Sequence, residues 1–388
     1  MRINLLPAIV LAGPPHSGKS VLGYLLANQL KELEIQSYLL RAVPDGEGNW
    51  FLEGDRQVVL PLRMKHKTGY SRNFVEHMHG VIANRPLPLI VDIGGLPNHQ
   101  QIQMLQACTH SILLYREIQE LLDWRIRLEG VGLLPLAELQ SNQAGEDGII
   151  EHSPILRGFI SGLERDPALR TIGPAFLALL DRVCGIFAYD PQQLEDIHLQ
   201  GAPFPVMTES ELAQRLGLPG GSGMWWEPVS LQKLDRIDVN PNGCAFYGRG
   251  PVWLTAAMAA RWFPYPFAVF DLRYGWVPIA SIPVNKRNDQ IEYELITKAG
   301  VTWVEARLPN SFIDIHEFYL PPPTGGGGLV LSGKLPKWAF TRLMQHYLPD
   351  CSWIGVLDAA RSRVIVVFSQ AGLHFPGDVL LMNDDELI

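Results

Sequence analysis

Leu329 to Val367 opens as LVLSGKLPKWAF and closes as LPDCSWIGVLDAARSRVIVV, and an imperfect copy, AFYGRGPVWLTAAMAARWFPYPFAVFDLRYGWVPIAS, spans Ala245 to Ser281. Setting Gly248 against Gly333 aligns Arg249 with Lys334, Pro251 with Pro336, Trp253 with Trp338 and Pro264 with Pro349 without a gap. A two-residue insertion then brings Asp271 onto Asp358. Each copy predicts an apolar strand, a tight Gly-containing turn, an amphipathic helix, a Pro-marked loop and a second strand ending in Asp with Arg close behind. The C-terminal half is therefore organised by an internal repeat.

The turns carry the chemistry. A Gly-rich turn between strand and helix leaves backbone N–H groups unpaired at the helix start, where the dipole adds positive charge, so phosphate is favoured. Gly248-Arg249-Gly250 and Ser332-Gly333-Lys334 are thus candidate ligand-phosphate residues, each turn keeping one basic side chain.

The most specific motif lies at the other end of the chain. Gly13-Pro-Pro-His16-Ser17-Gly18-Lys19-Ser20 follows the apolar run Ala8 to Ala12 and precedes the helix-like Val21 to Leu33, the strand–loop–helix context of a P-loop. In such a loop backbone N–H groups wrap the β-phosphate, Lys19 neutralises β and γ oxygens, and the Ser20 hydroxyl binds Mg²⁺. Leu87 to Gly95 (LPLIVDIGG) is an apolar run whose Asp92 is placed as a second metal-side residue at the carboxyl edge of a parallel sheet. ATP and Mg²⁺ are the expected cofactors.

With the copies and the P-loop in place, the C-terminal half resembles the small CRISPR-associated ring nucleases of type III systems. The resemblance rests on VLSGKLPKW, a helix ending in His346, VLDAARSRVIVVFS and Pro376-Gly377-Asp378, over about 100 residues from Asp289, and more weakly over Gly201 to Val284. It implies a ferredoxin-like α/β fold assembled as homo-oligomers, a manganese requirement and degradation of a cyclic oligoadenylate, the tetraadenylate ring above all. It also implies fusion to a P-loop ATPase domain, as in some relatives. By the same resemblance Asp271 or Asp358 would hold a divalent metal or orient the attacking group, Arg273 and Arg361 would offset charge at phosphorus, and His346 would move the proton. The copies depart from the pattern: the first has Arg261 and Trp262 where a histidine is expected, and Asp358-Ala-Ala-Arg361 carries one residue too many. A composite site between the copies and a binding module without cleavage are both compatible with these departures.

Composition bounds the rest. The chain has 388 residues, 47% of them hydrophobic, enough to bury a sizeable core in two to three domains. A net charge of −8 argues against a general DNA or RNA coat while leaving room for a small anionic ligand. Cys108, Cys184, Cys244 and Cys351 are widely spaced without a C-x-x-C pair, which suggests neither disulfide framework nor zinc and fits a reducing cytoplasm. The apolar Ile3 to Leu11 is too short for a signal peptide, and no membrane span is expected.

The expected architecture is α/β: a doubly wound P-loop domain over 1–200, then two tandem ferredoxin-like repeats over 201–285 and 289–388 forming a pseudo-dimer. Strands are expected at Ser37 to Val43, Ser111 to Tyr115 and Phe159 to Gly162, and helices at Glu117 to Arg127 and Pro174 to Cys184. Ile291 to Thr297 and Thr302 to Leu308 predict a hairpin around Ala299-Gly300. Arg63, Lys65, Lys67 and Arg72 could serve a phosphate acceptor or form a solvated loop, and Trp225 and Trp226 are expected to pack on the P-loop domain. Three functions stay open: ring nuclease with an ATPase domain, nucleotide-gated sensor, and P-loop kinase with a scaffold half.

Overall fold

The computed structural model describes residues 6–42, 72–94, 99–142, 145–166, 168, 170–218, 226–288, 290–309, 313–324, 326–370, 372 and 374–381. Asp45 to Gly48, the basic residues at 63, 65 and 67, Gly95, Trp225 and Asp289 lie outside them. The chain divides into a unit of residues 1–197 with 272–274, and a unit of 198–271 with 275–388.

In the N-terminal unit, β1 (Ala8–Ala12), α1 (Lys19–Glu32), β2 (Tyr38–Arg41), α2 (Arg72–Ala83), β3 (Leu89–Asp92), α3 (His99–Gln106), β4 (His110–Tyr115) and α4 (Ile118–Gly130) alternate. They are followed by β5 (Leu134–Ser141), β6 (Gly148–Glu151), β7 (Leu156–Ile160), α5 (Pro174–Phe187) and α6 (Pro191–Gln200). The sheet runs β2-β3-β1-β4-β5-β7-β6, parallel except at the edge pair β6/β7. Every residue of β1 is buried, as a strand covered on both faces requires. Ala8, Val10 and Ala12 face one core with Val75, Met104 and Trp124 of α2, α3 and α4, while Ile9 and Leu11 face another with Leu22, Leu26 and Phe176 of α1 and α5.

Strand β2 is shorter than the expected run, and β7 starts earlier than Phe159 and stops short of Gly162, where the chain turns (φ 71°). The sequence reading omitted β5 and β6. In β5 the polar Glu138 interrupts the apolar pattern, yet it is buried and accepts from Arg125 (2.8 and 2.7 Å) and Arg157 (2.9 Å), which compensate its charge.

The C-terminal unit holds two sheets. The first copy contributes β8 (Val206–Thr208), α7 (Glu209–Arg215), β9 (Cys244–Tyr247), α8 (Val252–Trp262), β10 (Phe267–Asp271) and β11 (Gly275–Pro278), in sheet order β11-β10-β9-β8. The second contributes β12 (Glu292–Lys298), β13 (Val301–Arg307), β14 (Gly328–Gly333), α9 (Lys337–Tyr347), β15 (Trp353–Asp358), β16 (Arg363–Ser369) and β17 (Val379–Leu381), paired in chain order. Strands β8 to β11 match β13 to β16 in sense: two parallel pairings, then one antiparallel.

This corrects the ferredoxin-like expectation. A ferredoxin-like fold inserts a strand between the parallel pair of a split βαβ unit, whereas here sequence neighbours are also spatial neighbours. The repeat itself is present in both sheets. Helices α8 and α9 pack on each other, and each reaches the other copy's sheet: α8 touches β15 and β16, and α9 touches β10. The β12–β13 hairpin closes at Ala299 (φ 50°) and Gly300 (φ 79°), two left-handed residues that suit a two-residue turn.

Candidate functional site

The P-loop is built where β1 ends. Gly13 (φ 134°) passes so close to β4 that a Cβ there would lie 2.0 Å from the Leu114 carbonyl oxygen. The loop then crests at the exposed His16 (φ 63°) and enters α1 through Gly18 (φ 90°). Lys19 folds back over the loop, donating to the carbonyls of Gly13 (2.9 Å) and Pro14 (2.6 Å). Burial lowers its pKa from 10.5 to about 8, against the opposing pull of Asp92.

Because β1 and β3 are neighbours, Ser20 and Asp92 meet: Ser20 Oγ donates to Asp92 Oδ2 at 2.6 Å. Asp92 is 1% exposed, also accepts from Gly94 N (3.1 Å), and lies 3.8 Å from Arg41 Nε on β2. Two adjacent hard oxygens, with Ser17 Oγ buried and unpartnered among the described residues, fit a divalent cation and a phosphate. Arg41 was not singled out from sequence; its signal is a basic residue closing an apolar strand. Arg116, one residue beyond β4, also acts electrostatically on Lys19 and is held by Glu120 at 3.2 Å.

In the C-terminal unit the two turns are not equivalent. At the first, Glu209 Oε2 accepts from Arg249 N (2.7 Å) and Gly250 N (2.8 Å), and its Oε1 accepts from the Trp226 indole (2.5 Å). The backbone donors expected to hold a ligand phosphate at Gly248-Arg249-Gly250 are thus taken by a carboxylate of the chain itself. Trp226 finds its hydrogen-bond partner in this unit.

At the second turn Ser332 is buried, while Gly333 and Lys334 are exposed. Strand pairing places Thr208 beside Tyr247 in the first copy and Glu305 beside Ser332 in the second, so Ala306 occupies the position equivalent to Glu209. It has no carboxylate to offer. Gly333 (φ 124°) could not carry a side chain, since a Cβ would lie 2.0 Å from the Ala306 carbonyl oxygen.

Lys337, the first residue of α9, joins the turns by donating to the Gly248 carbonyl at 2.9 Å. Burial lowers its pKa; Glu209 and Asp271 oppose that shift and Arg249 adds to it, so all four charged groups lie within electrostatic range. Sequence reading missed Lys337, whose signal was a second basic residue three positions after Lys334 at a helix start.

Asp271 and Asp358 end β10 and β15, the strands next to those that enter the turns. Asp358 is paired with Arg363 Nε at 3.1 Å, because the two are register partners across β15 and β16. Arg361 sits in the exposed short turn Ala359–Arg361, and the Arg273 guanidinium lies 5.0 Å from the Tyr274 ring centroid.

His346 lies elsewhere. The nine helical steps from Lys337 to His346 cover about 13 Å, which takes it toward the opposite edge of the sheet from Asp358. Next to it, Tyr347 donates to the Pro322 carbonyl (3.0 Å) ahead of β14. Burial lowers the His346 pKa, against a hydrogen bond that the imidazole donates to the Pro321 carbonyl. Within one chain the helix thus carries His346 away from Asp358. Asp378 likewise serves a turn, accepting from Phe375 N at 2.8 Å.

Among the described residues no group of three or more His, Cys, Asp and Glu is arranged to hold a metal. In the second copy Asp358 is ion-paired with Arg363. No helix among the described residues is long and apolar enough to cross a membrane.

Among solved structures, chloroplast FtsY from Physcomitrella patens is similar at 11% identity and a TM-score of 0.23, covering 36% of this chain and 52% of that one, about half its length. No curated protein matches the chain. Residues 309–381, from the end of β13 to β17, match the family model of the CRISPR-associated protein Cas_csx3, so the second copy is similar to a CRISPR-associated protein.

Proposed function

We propose that this chain couples an ATP-binding P-loop domain to a pair of repeats that binds a cyclic oligoadenylate and opens its ring in CRISPR antiviral signalling. The observation that carries the reading is the bond from Lys337 to the Gly248 carbonyl, which brings two basic, Gly-containing helix starts to one junction with Asp271 close by. The similarity of residues 309–381 to a CRISPR-associated family supports the biological setting.

In this reading Lys334, Lys337 and Arg249 hold ring phosphates, and the exposed backbone of the second turn supplies further donors. Attack by a ribose 2′-hydroxyl on its neighbouring phosphorus forms the P–O2′ bond and breaks P–O5′. The products are a 2′,3′-cyclic phosphate end and a 5′-hydroxyl. Asp271 or Asp358 takes the 2′-hydroxyl proton, and the leaving 5′-oxygen gains one from solvent. In the other unit Lys19 contacts ATP phosphates, and Ser20 and Asp92 would hold Mg²⁺, whose charge offsets that of the β and γ oxygens.

A second reading, a sensor that binds the ring without cutting it, is favoured by His346 lying toward the far sheet edge and by Asp358 being engaged with Arg363. Labelled cyclic tetraadenylate, incubated with and without Mn²⁺ and ATP beside Asp271→Ala and Asp358→Ala, separates the two. Linear products that disappear in either variant support the nuclease. Intact, tightly bound ring supports the sensor, and absence of binding removes both.

A further inference from the structure

We infer that Glu209 is a resident anion that occupies the phosphate seat of the first copy, so that of the two turns only the second offers its backbone donors to a cyclic ligand. The inference rests on the functional reading above only for the identity of the ligand. The observation is that three N–H donors, from Arg249, Gly250 and the Trp226 indole, converge on one carboxylate at 2.5 to 2.8 Å. Arg249 and Lys337 add positive charge nearby, with Glu209 the largest of the charged influences on Lys337. A carboxylate and a phosphate oxygen ask the same of their surroundings, which is N–H donors and nearby cations.

The seat is filled from a fixed place. Glu209 is the first residue of α7, whose start is set by the Thr208 side chain accepting from Glu211 N at 3.1 Å. It packs so closely on the turn that a Cβ at Gly248 would lie 2.7 Å from the Glu209 Cβ. The second copy has Ala306 in the equivalent place, which carries no carboxylate. The pseudo-symmetric junction is therefore functionally one-sided: the copy without the plug receives the ligand, and the plugged copy lends Lys337 a carbonyl partner.

The test uses the full chain carrying Lys19→Ala, so that the P-loop does not contribute, with and without Glu209→Ala. Each protein is titrated calorimetrically with inorganic pyrophosphate and, separately, with cyclic tetraadenylate. Removing the plug is expected to tighten pyrophosphate binding by about tenfold, the scale of one set of charge-assisted hydrogen bonds. Glu209→Gln, which keeps the shape and loses the charge, is expected to show a smaller gain in the same direction and covers the case in which the alanine variant does not fold. Tighter pyrophosphate binding without any cyclic tetraadenylate binding upholds the resident anion and removes the functional reading. Unchanged or weaker pyrophosphate binding in the folded variants overturns the inference.

Discussion

Lys337 of the second copy donates to the Gly248 carbonyl of the first at 2.9 Å, through a half-buried side chain whose pKa is lowered by desolvation. A single side chain thus bridges the two helix starts.

Replacing Lys337 with Met keeps the apolar stem and removes the donor. The expected cost is about 1.5–3 kcal/mol in urea denaturation, the range for a hydrogen bond made by a charged donor. Cyclic oligoadenylate affinity is expected to fall more than tenfold, because a phosphate-facing charge is lost as well. Affinity equal to the parent's would place the ligand away from this junction.

Lys19 sets a pH dependence at the P-loop. Its folded pKa, about 8, lies below its ordinary value of 10.5, so between these values the unfolded chain binds more protons and the stability of the ligand-free protein rises with pH. At the proposed ATP site the ammonium form makes the phosphate contact, so ATP affinity is expected to drop by about tenfold per pH unit above that point. From pH 7 to 9.5, calorimetric titration with ATP measures the affinity and urea denaturation the stability, with Lys19→Met as the flat reference.

Burial depresses the pKa of His346 below 6.5. The unfolded chain therefore takes up this proton first, and stability falls as pH drops through 6.5; His346→Gln is expected to soften that acid limb in thermal melts from pH 7.5 to 5. Because the residue lies about 13 Å along α9 from Lys337, ligand affinity at pH 7.5 is expected to match the parent's within twofold. A tenfold loss would indicate that His346 reaches a site after all, in another copy of the chain.

Gly333→Ala forces a side chain into a left-handed turn and against the Ala306 carbonyl. A loss of about 3 kcal/mol is expected, since neither backbone can yield inside paired strands β13 and β14. Equilibrium denaturation reports it, and a loss below 1 kcal/mol would mean that the turn relaxes freely.

Much of the architecture was legible in local pattern. Gly13 to Ser20 names its own structure, because the loop's glycines and its Lys-Ser pair act through backbone geometry encoded within a few residues. The repeat was equally readable, since Gly248 and Gly333 each begin the same turn–helix–strand succession. Strand β5 was missed because Glu138 breaks the apolar run, and only Arg125 and Arg157, brought in from α4 and β7, make its burial tolerable.

The sequence by itself determined the P-loop, the two copies and the basic residues at their turns, all of which depend on neighbours along the chain. Tertiary structure decided which of those residues meet. It placed Ser20 on Asp92 by making β1 and β3 adjacent, and it gave Asp358 to Arg363 through hairpin register. It carried His346 along a helix toward the other sheet edge, and it seated Glu209, forty residues earlier in the chain, on the Arg249 amide. Contacts of that kind are fixed by strand order and helix direction, and no local spacing records them.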